Sequence, residues 1–406
     1  MSEHFIPFRK HDILRLVHEG RSGGPESTQV TTLIDLVLGQ EFQGRLTRLK
    51  ELYQPLDPNR DTLAIPNEQP RAADPGAFRE ALAELLGRAN FAQLGQAELD
   101  AAFATESVFK VKLHTALGDF SELTIHARGK RMRQETVTSL FGFKKRTIDV
   151  EYYERVLLFV RFQDEAYFTA QKRTKLAFTP GSTVLKLFAN VPAADLEMLF
   201  PNSEVRMKTL DKAIIGLPAI IGVLTMSAKI LVVIGFLWAG LKWVGAETGL
   251  HHEQVDVSKL AAEAGLVLAA CAAIYMFVNR QLMRYRFKKL QFIKALSDNL
   301  YFRNLDNNAG VFHRILDDAL DEDVKEAVLA WRFLNEGSTT AAGLDAKIEA
   351  WFRTRLGATV DYEVEDGLGK LERLGLATRS GELWSAVSPA EAAARLQERW
   401  RQFTPG

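Results

Sequence analysis

The sequence is poor in the residues that staple, chelate or cradle. Its 406 residues include one cysteine, Cys271, which excludes a disulfide framework and every multi-cysteine metal site. There is no Gly-rich phosphate loop, no His-Glu-x-x-His, no Cys-x-x-Cys and no Gly-x-Ser-x-Gly nucleophile elbow. Gly367-Leu-Gly-Lys370 lacks the upstream glycine and the Ser or Thr of a phosphate loop. No catalytic residue, cofactor or metal ligand is therefore assigned, and the reading leans away from an enzyme. Net charge is absent too. The 51 basic and 51 acidic side chains cancel, so nothing in the overall balance demands nucleic acid. The first ten residues mix charges and hold no apolar stretch of leader length, which places the start of the chain on the cytoplasmic side.

What is present is an ordinary folding composition, 47% hydrophobic and 25% charged, on a length that suits two to three domains of roughly 150 residues. Between Lys212 and Lys242 only Thr225, Ser227 and Lys229 interrupt an apolar run, longer than the about 20 residues that cross hydrocarbon. A second run extends from Leu260 to Val278 with Glu263 near its start. These predict two transmembrane helices, about 217–241 and 260–279, joined by an outward loop containing His251, His252, Glu253 and Asp256. The positive-inside bias sets the orientation, since Arg280, Arg284, Arg286, Lys288 and Lys289 crowd the exit of the second span and Arg206, Lys208 and Lys212 precede the first. Those five exit residues are the candidate membrane-surface contacts. Lys229 is the intramembrane candidate, because a lysine deep in a span is costly unless it has a role. The competing reading is a buried helical hairpin.

Before the spans, residues 1–105 show helical spacing over Arg9–Val17, Gln29–Tyr53 and Gly76–Leu86, with a proline-rich connection after the second. Residues 106–212 carry short runs rich in β-branched and aromatic residues, such as Leu123–Ala127, Thr147–Val150, Val156–Phe162 and Thr183–Phe188, and predict an antiparallel sheet. From residue 107 to 212 there are 18 basic and 12 acidic side chains, suited to anionic headgroups or to solvated turns. The segment Asn190–Pro201 predicts a short helix. Beyond the second span, Leu300–Val311 reads as an Asx-type turn between two helices. Helices over Asp323–Asn335, Ala342–Leu356 and Val364–Leu374, then a hairpin turning at Ser380-Gly381, give a winged-helix outline. Its third helix opens on acids, and residues 300–406 hold 18 acidic against 13 basic side chains, so a protein contact is favoured over DNA.

Three groups could chelate a cation. Asp57, Asn59, Asp61 and Glu68 fall on calcium-loop spacing, but Thr62 stands where the turn needs glycine, which favours an Asx turn. The His251-His252-Glu253 loop is a weak ligand set. Asp317, Asp318, Asp321, Glu322, Asp323 and Glu326 read better as helix-start acids, with Asp321 as the cap.

Tyr53–Thr62, Tyr152–Val156, Phe188–Pro201, Leu300–Val311 and Lys325–Trp331 together resemble, in this order, the family called domain of unknown function 3754. That family is similar to one shared by bacteria and mitochondrial transmembrane protein 143 of animals. Its most specific block contains Asn304, Asp306, Asn308 and Gly310, a family motif of unknown role, and no activity comes with the resemblance. The expected fold is an α+β membrane protein: a helical and β cytoplasmic region (1–105 and 106–212), a transmembrane helical hairpin (213–280), and a basic juxtamembrane helix with a C-terminal winged-helix-like domain (281–406). The expected function is a scaffold at the bacterial inner membrane, both termini cytoplasmic, with membrane lipids, another protein and a second copy as partners. The alternatives are a membrane-associated enzyme acting on a lipid or using a metal, and transport through Lys229.

Overall fold

The computed structural model describes residues 5–19, 25–59, 72–104, 112–138, 145–206 and 257–403, with the single position 235. Two compact units divide the chain, one of residues 1–105, 116–199 and 302–406, the other of 106–115 and 200–301.

The first unit starts with helices α1 (Lys10–His18), α2 (Pro25–Tyr53) and α3 (Pro75–Arg88), at the places where apolar residues recur three and four apart. Asp74 fixes the start of α3 by accepting the Ala77 N–H at 3.0 Å, with Pro75 in the first turn, where a missing N–H costs nothing. After β1 (Ala92–Gln93) and α4 (Gln96–Ala104) come the long strands β3 (Phe120–Thr138) and β4 (Lys145–Phe162), the short helix α5 (Glu165–Ala170), β5 (Thr183–Pro192) and a 3₁₀ turn, Ala193–Leu199. The strand β2 (Lys112–Thr115) lies between α4 and β3 in the chain. Thr147–Val150 and Val156–Phe162, expected as two strands, are one continuous strand.

Five strands form an antiparallel sheet in the order β1-β3-β4-β5-β7, where β7 is Asn304–Asn307. The predicted Asx turn is thus an edge strand, with Lys186 opposite Asn307 and Phe188 opposite Asn304. The cause is local: β5 offers an unpaired backbone edge, and unpaired buried backbone groups are costly.

Helices α7 (Ala309–Leu334), α8 (Ala341–Leu356) and α9 (Val364–Arg373), the hairpin β8 (Ala377–Ser380) and β9 (Leu383–Ala386), and α10 (Pro389–Phe403) complete this unit. Thr340 caps α8 by accepting the Gly343 N–H at 3.1 Å, and Gly381 (φ 62°) turns the hairpin. Thr339 bridges Trp384 as a third strand position of the wing. Two apolar cores result. One packs Phe42, Tyr53, Phe78 and Leu82 with Leu157, Phe159, Leu185 and Leu187 of the sheet and Val311, Phe312 and Ile315 of α7. The other packs Val324, Val328 and Trp331, further along α7, with α1, α2, α8, α9 and the wing.

The second unit pairs β2 antiparallel with β6 (Ser203–Arg206) and holds all but the last residues of α6 (Val257–Arg303).

The α+β reading stands, and the transmembrane hairpin does not. Residues 217–241, apart from position 235, lie outside the described residues, as do Lys229 and the His251–Asp256 loop. The expected second span, 260–279, falls inside α6, and no helix among the described residues is long and apolar enough to cross a membrane. The run is closed by Asn279-Arg280, and the same helix continues past it to Arg303 with Arg280, Arg284 and Arg286 exposed.

Candidate functional site

Three places in the described chain concentrate unusual chemistry. The first is the Asn304–Gly310 motif. Asn308, at φ 49°, precedes α7, and its buried side chain completes the sheet edge: its N–H donates to the Leu185 carbonyl at 2.8 Å, and its Oδ1 accepts the Leu185 N–H at 3.2 Å. A Cβ on Gly310 would overlap Asp306 Oδ1, so the glycine is what lets the strand turn tightly into the helix. Asn304 Oδ1 is buried without a hydrogen-bond partner among the described residues. Just before it, the Arg303 guanidinium lies 5.9 Å from the Tyr152 ring centre, Arg133 lies 5.3 Å from the same ring, and the Tyr152 hydroxyl donates to Glu135 at 3.1 Å. Burial, then the Glu135 bond, pushes the Tyr152 pKa up, so this phenol is no base. The motif builds a junction.

The second place is the acid-rich stretch of α7. The helix runs unbroken from Ala309, so Asp321 is interior and does not cap it; it pairs with Lys10 at 3.1 Å. Four of the other five acids are engaged as well, Asp317 being the exception among the described residues. Asp318 bonds Arg128 at 2.9 Å, and Asp323 bonds Arg88 at 2.9 Å and Lys370 at 3.1 Å. Glu326 contacts Lys370, and Glu322 contacts Lys325. Glu322 also accepts the Ile6 N–H at 3.1 Å while Lys325 donates to the Ile6 carbonyl at 2.7 Å, which pins the N-terminal arm by its backbone. The Tyr362 hydroxyl donates to the Glu326 carbonyl at 2.7 Å. Burial raises the Glu326 pKa to about 7, with Lys370 opposing and Asp323 and Glu322 adding to the rise. Burial opposes protonation of Lys370, but Glu326 and Asp323 outweigh it and its pKa rises. Asp323 is 1% exposed and Glu326 3%, so no substrate reaches them. Among the described residues no group of three or more His, Cys, Asp or Glu could hold a metal ion. Asp57 Oδ1 accepts the Asn59 N–H at 2.9 Å, the Asx geometry expected there; Asp61 and Glu68 lie outside the described residues.

The third place is α6. Arg280, Arg284 and Arg286 are exposed on it, interleaved with exposed Tyr275, Met276, Leu282, Met283, Phe287 and Leu290. Lys288 and Lys289 belong to the same helix. The wing module differs in kind. Glu365 and Asp366, in the first turn of α9, face solvent while Lys370 turns inward, the wrong polarity for a helix that would meet phosphates.

Residues 153–310 match the model of a family described as Protein of unknown function (DUF3754). Over this segment the chain is similar to that family. The DUF3754 match opens at Tyr153 on β4 and closes at Gly310, the glycine packed on Asp306, so it takes in the whole junction motif. The resemblant blocks Tyr53–Thr62 and Lys325–Trp331 lie outside it. No solved structure matches the chain.

Sequence reasoning singled out Asn304, Asp306, Asn308 and Gly310 together, and the fold brings them together. It missed Arg88, Arg128, Lys10 and Lys370 as partners of the α7 acids. The pair Arg88–Asp323 spans 235 positions, and no local pattern encodes such a partner.

Proposed function

We propose that the protein is a non-catalytic scaffold that binds another protein through α6. One observation carries this reading. Of the 15 exposed large hydrophobic side chains among the described residues, 11 lie on α6, and a concentration of apolar surface interleaved with arginine is characteristic of contact surfaces. The enzyme reading draws no support from the α7 acids, since Asp318, Asp321, Glu322, Asp323 and Glu326 are each bonded to a cation.

Site-specific photo-crosslinking in cells tests this. Crosslinkers at Met276 and Phe287 are expected to trap a discrete protein, either a different chain or a second copy, distinguished by adduct mass. The same crosslinker at exposed Thr354 is expected to trap none. Leu282→Glu with Leu290→Glu should abolish the adduct. Adducts to lipid alone, or none, overturn the proposal.

A second reading is favoured by the three exposed arginines: α6 lies on an anionic surface without crossing it. Its mark would be flotation of the full chain with anionic vesicles, reversed by salt, and no flotation with zwitterionic ones.

A further inference from the structure

Arg128 and Arg155 stand directly opposite each other on β3 and β4. Residues so paired share a face of the sheet, and like charges there are unfavourable. This is the face that packs on α7, where Leu157, two residues beyond Arg155, is buried in the same core as Ile315.

The two arginines are not equally provided for. Arg128 is 9% exposed, donates to the Ala89 carbonyl at 3.0 Å and to Asp318 at 2.9 Å, and stacks on Phe5 and Phe91 at 5.2 and 5.1 Å. Among the described residues Arg155 has only the carbonyl of its neighbour Glu154, at 3.2 Å, and its Nε, like that of Arg128, is buried without a partner. The Glu154 carboxylate is held by Arg131 at 2.8 Å. Arg314 lies one helical turn before Asp318, hence on the same side of α7, is exposed, and makes no hydrogen bond or ion pair among the described residues. Asp317 beside it bonds neither Arg314 nor Lys10. Three guanidinium groups thus converge where one carboxylate, Asp318, is already taken by Arg128.

A half-buried guanidinium with unused donors carries a desolvation cost that only an acceptor can offset. Its planar fork suits the paired oxygens of a tetrahedral oxyanion. We propose that Arg155 and Arg314, backed by Arg128, form a binding site for a phosphate group, Arg155 donating from the sheet and Arg314 closing over the anion from α7. Burial lowers the Arg155 pKa, with Arg128 and Arg314 adding to the effect against Asp318, and a bound anion would reverse that trend. The site is independent of α6 and of the scaffold reading.

Calorimetric titration of the full chain with inorganic phosphate, at constant ionic strength in chloride, tests the site. Saturable binding is expected, weakened about tenfold or more in Arg314→Gln, the loss of one charge-assisted bond. Arg155→Gln should abolish it, and Arg379→Gln on the wing should leave it intact. If Arg155→Gln fails to fold, the exposed Arg314→Gln variant decides alone. No saturable binding, unchanged affinity in Arg314→Gln, or an equal loss in Arg379→Gln overturns the proposal. Titration with glycerol 3-phosphate separates the sources: tighter binding than inorganic phosphate marks a phosphate ester as the ligand, and weaker binding marks the free ion.

Discussion

Asn308 stands in for a strand residue opposite Leu185, supplying one backbone donor and one side-chain acceptor to the two groups that Leu185 leaves at the sheet edge. It does so at φ 49°, a conformation that asparagine and glycine tolerate better than other residues. Asn308→Ala leaves a buried N–H without an acceptor and keeps the strained backbone. The expected loss of stability is about 2–4 kcal/mol, read from denaturant midpoints. Asn308→Gly should lose less, because it relieves the backbone.

Gly310 and Asp306 are expected to be coupled. Gly310→Ala drives a methyl group into the Asp306 carboxylate, and Asp306→Ala should relieve the clash. A double-mutant cycle on unfolding free energy is expected to return an interaction term of about 0.5–3 kcal/mol; additive effects would mean that the strand-to-helix turn can open without cost.

Lys370 sits between Asp323 and Glu326. Lys370→Met strands two buried acids and should cost about 3–5 kcal/mol, whereas Lys370→Met combined with Glu326→Met should recover much of that loss. Thermal unfolding of the single and double variants checks the ordering.

Glu326 supplies a pH dependence of defined sign. Its folded pKa, about 7, lies above the ordinary 4.5, so in this window the folded state holds the proton more tightly than the unfolded one. Its contribution to stability is therefore greatest at low pH and declines as pH rises from about 4.5 to about 7. Glu326→Gln should remove this decline, seen by comparing urea midpoints of both proteins at pH 5 and pH 7.5.

At Ile6 the N-terminal arm is held by its buried side chain and by backbone recognition from Glu322 and Lys325. Lys325→Met removes the donors to the Ile6 and Phe8 carbonyls and leaves Glu322 without its cation. Hydrogen exchange at the Ile6 amide should accelerate in this variant while exchange within α9 is unchanged.

The helices α1 to α3, α8, α9 and the wing were legible because each has one apolar face, and spacing reports a face directly. β7 was not, because Asn-Leu-Asp-Asn is a turn-forming string whose strand character comes from the neighbouring edge of β5. Ser388-Pro-Ala-Glu391 does carry the start signal of α10, with Ser388 accepting the Glu391 N–H at 3.3 Å. The apolar run 260–278 misled because it is one stretch of a helix that continues past Asn279-Arg280 to Arg303. The junction residues were found as a motif, yet their work was hidden, since Leu185 lies over a hundred residues away. Arg155 was hidden for the same reason: what makes it unusual is the arginine across from it.

One helix, α7, lines both apolar cores, its first turns closing the sheet and its last turns closing the winged-helix-like body. It is a party wall between two rooms, and neither room stands if it is taken down. A fragment cut before Ala309 would keep the wing but lose Ile13, Val30 and Ile34 of α1 and α2 from its own core. The last hundred residues therefore resemble a portable domain in outline only, and in this chain they are the far end of a larger cooperative body.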